Sequence, residues 1–244
     1  MTTPRMYADL ARWWPLLSPP SEYVEDAALI AGLLRTSSRE VRTVLELGSG
    51  GGHNAVHLAG DFAMTLVDIA EGMLAVSRRL NPASEHVPGD MRNVRLERTF
   101  DAVLVHDAVD YMLTEGDLAA VFATARAHLA VGGALVVMPD HMRETFEAST
   151  EHGGTDAPDG SGIRYLEWTY DPDPADDSVV TEYVYCLRDS GGRVWTEHER
   201  HTFGLFTQQR WVELAEAAGF EVSVVLEPTD DDRTARRVLV GTAR

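Results

Sequence analysis

Residues 46–52 read Glu46-Leu47-Gly48-Ser49-Gly50-Gly51-Gly52, flanked by the apolar run Arg42-Thr43-Val44-Leu45-Glu46-Leu47 and by a helix predicted from about His53 to Leu58. Glycines between a strand and a helix let the main chain turn tightly and approach a nucleotide-like ligand without a side chain in the way. Such a ligand lies across the carboxyl edge of the sheet. A dinucleotide fold wants a third glycine or an alanine at the position of His53, to seat a pyrophosphate on the helix N-terminus, and histidine disfavours that reading. Glu46 argues the same way, because a carboxylate just ahead of the loop repels a pyrophosphate and attracts a cation. Twenty residues after Gly48, Asp68 closes the next apolar run, Met64-Thr65-Leu66-Val67, where a carboxylate can accept from both ribose hydroxyls. The expected ligand is a positively charged nucleoside.

Outward from this loop the pattern alternates strand and helix: a helix over Glu71 to Leu80, strands near Glu85 to Val87 and over Phe100 to Val105, and a helix over about Asp117 to Leu129. Gly132-Gly133 is expected to end that helix, and Ala134 to Met138 is a further apolar strand. Fully apolar strands need cover on both faces, as in a parallel sheet wrapped by helices. The predicted fold is α/β, a doubly wound, mostly parallel sheet. Before it, Met6 to Ser37 reads as helical pieces broken at Pro15, Pro19 and Pro20. After it, the alternating segments Arg164 to Tyr170, Val179 to Leu187 and Val194 to Phe203 read as an antiparallel insert. A helix over Gln208 to Ala218, stopped by Gly219, and strands over Glu221 to Leu226 and Arg237 to Val240 complete the chain. The expected division is a helical cap (1–41), an α/β core (42–149), an antiparallel β insert on the acceptor side (150–206) and a closing helix and strands (207–244).

Composition narrows the function. A net charge of -18 disfavours DNA and RNA, whose backbone is bound by clustered cations. Every basic residue apart from histidine is arginine, so Schiff-base and phosphate-loop lysine chemistry are excluded. The one cysteine, Cys186, rules out an internal disulfide and a multi-cysteine metal site, and reads as a small apolar strand residue. With no apolar run long enough for a signal peptide or a membrane span, a cytoplasmic location is expected. The acidic stretch Asp171 to Asp177 reads as a solvated turn, and no metal is expected.

Glu46 to Gly52, Asp68, Gly89-Asp90-Met91 and Phe100-Asp101-Ala102-Val103 resemble the successive motifs of class I S-adenosylmethionine-dependent methyltransferases, over about Arg42 to Pro139. The resemblance implies a seven-stranded Rossmann-like sheet with an antiparallel last strand, S-adenosylmethionine as donor and S-adenosylhomocysteine as product. It implies a donor site built from Glu46, Gly48, Ser49, Gly50, Asn54, Asp68, Ile69, Met73, Asp90 and Met91, the last two beside the adenine. The loop Val105-His106-Asp107-Ala108 would face the methionine part. More loosely, the order of a Tyr7-containing cap, Gly89 to Arg92, Pro139 to Phe146, a β insert and Leu205-Phe206 resembles the small-molecule N-methyltransferases that dimethylate amino sugars. In that family a tyrosine of the first helix closes over the donor, and Tyr7 matches it. The sequence departs after Pro139, with Asp140-His141 in place of aromatic residues.

The expected reaction is methyl transfer from S-adenosylmethionine to a nitrogen or oxygen of a small molecule; the alternatives are an NAD-dependent oxidoreductase or a non-catalytic S-adenosylmethionine-binding protein. Transfer from a sulfonium needs mainly in-line positioning, and a base helps only where the acceptor holds a proton. His141, His106 and His201 are the candidate bases, with Tyr7 a further candidate catalytic group. Tyr7, Trp13, Trp14 and Tyr23 can wall the cationic methionine part, since aromatic faces attract cations. In the insert, Trp168/Tyr170 and Tyr183/Tyr185 are each spaced by two, suited to an acceptor roof, a minor core or a homodimer surface. Pro19-Pro20 and the tryptophans suggest a cap that opens for donor entry.

Overall fold

The computed structural model describes residues 3–37, 39–228 and 234–244. A seven-stranded sheet is built from β1 (Thr43–Leu47), β2 (Ala63–Asp68), β3 (Glu85–Pro88), β4 (Phe100–His106), β5 (Leu129–Met138), β10 (Phe220–Leu226) and β11 (Arg237–Ala243). Its order is β10-β11-β5-β4-β1-β2-β3. Strands β1 to β5 pair in parallel, whereas β11 runs antiparallel to both β5 and β10. From β1 the chain moves outward first through β2 and β3, then returns to place β4 on the other side. That reversal leaves a crevice at the carboxyl end of β1, where doubly wound folds collect ligands.

Period-two alternation divides the core between the two faces of the sheet. Val44, Leu66, Leu104 and Val136 meet Ile30 and Leu34 of α2 (Val24–Arg35) and Leu58 of α3 (Ala55–Leu58). Leu45, Leu47, Val103 and Val105 meet Phe122 of α5 (Glu115–Ala127) and Trp211 of α6 (Gln208–Ala217). Burying each such side chain contributes roughly 1.5–3 kcal/mol.

The cap is a series of short turns before α2: 3-10 turns at Arg5–Tyr7 and Ala11–Trp13, α1 (Trp14–Leu17), and a 3-10 turn at Pro20–Tyr23. Pro15 does not break a helix as expected. It sits in the first turn of α1, where its missing N–H costs nothing. The predicted helix at His53 begins only at Ala55 and lasts four residues. Helix α5 starts at Thr114, whose side chain accepts from Asp117 N, and ends at His128 rather than at the glycines. Gly132-Gly133 instead lie within β5, with Gly132 at φ 81°, beside an irregularity in its pairing with β4. Glu71–Leu80 forms α4 as read from the sequence.

The insert is a second, antiparallel sheet of order β6-β7-β8-β9: Ser149–Gly153, Gly162–Tyr170, Ser178–Arg188 and Val194–Gly204. Strand β6 was not foreseen, since Ser149 to Gly153 carries no apolar alternation. Tyr183 lies opposite Glu167, and Trp168 opposite Glu182, so the two aromatic pairs occupy opposite faces. Tyr185 is buried in the join between insert and cap, and Trp168 is 50% exposed. In the turn at Asp171 to Asp177, carboxylates of Asp171, Asp173 and Asp176 accept main-chain N–H bonds two residues on. Among the described residues no helix is long and apolar enough to cross a membrane.

Candidate functional site

A cavity of about 550 Å³ opens at the carboxyl ends of β1, β2 and β4, bounded by the cap on one side and by β8 and β9 on the other. Of the residues assigned to the donor from the sequence, all but Val105 and Trp13 line it: Glu46, Gly48, Ser49, Gly50, Asn54, Asp68, Ile69, Met73, Asp90, Met91, His106 and Asp107 from the core, Tyr7, Trp14 and Tyr23 from the cap. Val105 points the other way, into the core beneath the sheet, because it alternates with His106 along β4.

At the strand end, Glu46 is 2% exposed and its Oε2 has no hydrogen-bond partner. Burial, aided by Asp68 and Asp107 and opposed by His106, pushes its carboxyl up to about 8. A buried carboxylate without a partner is stabilised by a cation brought beside it. Asp68 is oriented by two main-chain donors, Gly50 N at 2.7 Å to Oδ2 and Ala70 N at 2.8 Å to Oδ1, and each oxygen keeps a lone pair for a ribose hydroxyl. Burial raises the Asp68 carboxyl, while those N–H bonds hold it back. Gly48 adopts φ 75°, and a Cβ there would lie 2.5 Å from Met91 Cε and 2.6 Å from Ala108 Cβ, so only glycine keeps this wall open. Asp90 is fixed by a two-pronged bond to Arg92, which also reaches Asp117 at 2.7 Å, and its carboxyl is held low by Arg92.

Aromatic rings close the cavity from the cap. Trp14 stacks on His53 at 6.1 Å, Tyr23 meets His53 edge-on at 5.3 Å, and Tyr7 meets Trp14 edge-on at 5.5 Å. His53 therefore carries the ring that a dinucleotide fold replaces with a small residue; burial and His57 push it down to about 4, so it is neutral. Trp13, assigned with Trp14 from the sequence, is instead buried against Trp195 at 5.8 Å between cap and insert.

The candidate bases separate. The Nε2 of His106 is 3.0 Å from Asp26 Oδ2 and its Nδ1 is 2.8 Å from Asp107 Oδ1. Burial opposes the charge, but Asp107 and Asp26 outweigh it and hold the ring up at about 10. His106 is thus a protonated, paired imidazolium and has no lone pair for a base. Arg236 joins the same cluster, bonding Asp26 and Glu227. His141 does not line the cavity; it packs edge-on against Phe146 at 5.4 Å. His201 does line it, together with Tyr111, Tyr183 and Phe203. Tyr111, Glu199, Asp26 and Arg236 were missed in the sequence, because nothing in their local spacing sets them apart from ordinary loop and strand residues.

Residues 44–133 match the model of the methyltransferase domain family. Over 203 residues the chain is 29% identical to the dTDP-3-amino-3,4,6-trideoxy-α-D-glucopyranose N,N-dimethyltransferase of Streptomyces venezuelae, covering 82% of this chain and 84% of that one. The crystal structure of Streptomyces venezuelae DesVI superposes with a TM-score of 0.81 at 26% identity, over 97% of this chain and 96% of that chain. The S-adenosylmethionine-bound CalS10, an amino pentose methyltransferase from Micromonospora echinaspora, superposes with a TM-score of 0.76 at 25% identity, over 91% and 92%. The unpartnered Glu46 carboxylate, the oriented Asp68 and the open glycine wall suit that cationic donor and not a dinucleotide. The chain is an S-adenosylmethionine-dependent methyltransferase that resembles the amino-sugar N-methyltransferases in layout.

Proposed function

We propose that this methyltransferase acts on the amine nitrogen of a small amino sugar. The observation that carries the reading is the acceptor end of the cavity. Tyr7, Tyr111, Tyr183 and Phe203 offer aromatic faces there and Asp140 a carboxylate, a lining that attracts an ammonium. The two relatives that methylate amino sugars support it.

Bound S-adenosylmethionine supplies a methyl group already activated on a sulfonium. The protein's part is to hold both partners in line and exclude water. Glu46 faces the cationic donor, Asp68 accepts from its ribose, and Asp90 and Met91 lie at its adenine side. Tyr7, Trp14 and Tyr23 wall the methionine part, and the insert (150–206) covers the acceptor. Incubation with S-adenosylmethionine and dTDP-3-amino-3,4,6-trideoxy-α-D-glucopyranose should add one or two methyl groups by mass spectrometry. Methylation of only the 3-hydroxy analogue would overturn the nitrogen assignment.

We also propose a homodimer through the outer face of the insert, supported by the exposed Leu166, Trp168 and Val184. Light scattering should give twice the chain mass, reduced to one chain mass by Trp168→Glu; a single-chain mass for the wild type sinks the proposal. Nucleic acid is not expected as a partner, in view of the charge of -18, and the cytoplasm is the proposed location.

A further inference from the structure

Four side chains from three separate parts of the chain form one hydrogen-bonded line into the cavity. Glu199 Oε2 lies 3.0 Å from His201 Nε2, and His201 Nδ1 lies 2.7 Å from the hydroxyl of Tyr111. That hydroxyl lies 2.9 Å from the hydroxyl of Tyr7. The far end is anchored as well: Glu199 Oε1 accepts from the main-chain N–H of Met6 at 3.0 Å, one residue before Tyr7. Tyr7, Tyr111 and His201 all line the cavity, while Glu199 does not.

We propose that Glu199, His201, Tyr111 and Tyr7 form a proton relay that strips the acceptor ammonium for methyl transfer, complete only when the cap is closed. This inference rests on the amine-acceptor reading above. An ammonium has no lone pair, so it cannot attack a methyl group until a proton leaves. The donor order follows from the inventory of each group. An ionised Glu199 only accepts, so His201 donates from Nε2–H and presents Nδ1 as an acceptor. Tyr111 then donates its O–H to Nδ1 and accepts from the O–H of Tyr7, whose oxygen keeps lone pairs toward the cavity.

When an acceptor N–H proton passes to the Tyr7 oxygen, the Tyr7 proton moves to Tyr111 and the Tyr111 proton to His201 Nδ1. The amine gains its lone pair, both phenols end neutral, and the positive charge rests on an imidazolium paired with Glu199. The proton returns to solvent when the cap reopens, and the secondary ammonium formed by a first methyl transfer is deprotonated by the same route.

Both phenols suit passage rather than storage of charge, since burial raises the pKa of Tyr7 and Tyr111 and keeps them protonated. The groups facing His201 are Glu199 on its own strand, Tyr183 on β8, Tyr111 after β4 and Tyr7 from the cap. Arg5 is close enough to Glu199 to feel its charge. Tyr7 is the group that touches the acceptor; Tyr111, His201 and Glu199 act through it. His106, the other cavity histidine, cannot substitute, because it is already protonated.

Two measurements test the relay. Nitrogen-15 spectra of the imidazoles should show neutral His201 as the Nε2–H tautomer in the wild-type protein with S-adenosylhomocysteine; the Nδ1–H tautomer overturns the proposal. Single-turnover methylation of dTDP-3-amino-3,4,6-trideoxy-α-D-glucopyranose should be slowed about 10²-fold at pH 7 by Tyr111→Phe and by His201→Gln, with donor affinity unchanged. The deficit should close at alkaline pH, where the amine is already free. A deficit equal at every pH marks a structural role and overturns the relay. If the wild type methylates no amine, the proposed function fails, and the tautomer still decides whether the line of bonds runs in the stated direction.

Discussion

The main-chain N–H of Gly50 donates to Asp68 Oδ2 at 2.7 Å, tying the glycine turn after β1 to the end of β2. One carboxylate thus shapes the loop and also faces the cavity. Asp68→Ala removes the bond that sets the loop and, in the proposed donor site, a charged acceptor for the ribose. Hydrogen bonds to charged groups are worth about 1.5–3 kcal/mol, so the affinity for S-adenosylhomocysteine should fall at least about tenfold by calorimetry. Unchanged affinity would remove Asp68 from the donor site.

Glu46 should make donor binding pH-dependent. Burial holds its carboxyl at about 8, so in the free protein it carries a proton at neutral pH. The sign for stability follows. The folded value exceeds the unfolded one, so this group's contribution is fully present below the ordinary glutamate value and is lost as pH rises towards about 8. A cationic ligand selects the ionised form, so affinity should rise with pH up to about 8, and binding at pH 7 should release a proton. Glu46→Gln should weaken donor binding at least about tenfold and raise the melting temperature of the free protein at pH 8 by roughly 2–4 °C. Calorimetry in two buffers of different ionisation enthalpy reads the proton directly, and a null result there speaks against this role.

His106 is the opposite case. Its value is raised to about 10 by Asp107 and Asp26 against burial, so its stabilising charge is complete below the ordinary histidine range and disappears as pH rises through about 10. His106→Gln takes the imidazolium from between Asp26 and Asp107, leaving them Arg236 as their cation, and should cost about 3 kcal/mol at neutral pH. Thermal melts should show the wild type losing stability from the ordinary histidine range up to about pH 10, with the variant nearly flat over that range. Parallel melting curves across the range would contradict the paired imidazolium.

The core was legible because β1, β2, β4 and α4 are locally consistent: apolar runs end on glycine or aspartate, and the period changes where the element changes. That Glu46 and Asp68 would meet at one cavity was legible for the same reason, since both sit at strand ends whose positions the pattern fixes. What stayed hidden depends on tertiary pairing. Glycine signals helix ends and irregular strands alike, so Gly132-Gly133 misplaced the end of α5. The faces of Trp168 and Tyr183 depend on a register that turn composition leaves open. The state of His106 is set by Asp26, distant in sequence, and the line from Tyr7 to Glu199 joins residues that no local window contains.

The cap should protect the chain from proteolysis only when the donor is bound. Its polar tethers to the insert are few: Met6 N to Glu199, and the Arg5–Glu197 ion pair at 2.5 Å, half exposed at Arg5 and so a weak hold in water beside the apolar join of Met6, Leu10 and Trp13 with Ile163, Tyr185 and Leu187. Tyr7, Trp14 and Tyr23 of the cap line the cavity and would gain a partner when the donor fills it. Segments that open at low free energy are cut through their open state, and a ligand that binds only the closed state lowers that population in proportion to its saturation. Trypsin should therefore cleave on the amino side of about Arg42 in the free protein, and S-adenosylhomocysteine at 100 times its Kd should slow that cleavage up to about 100-fold. Glu197→Gln should speed cleavage of the free protein by no more than a few-fold, since the exposed pair is only a minor tether. Equal cleavage with and without S-adenosylhomocysteine would show that the cap is already rigid, and the cap-dependent assembly of the Tyr7–Tyr111 contact would fall with it.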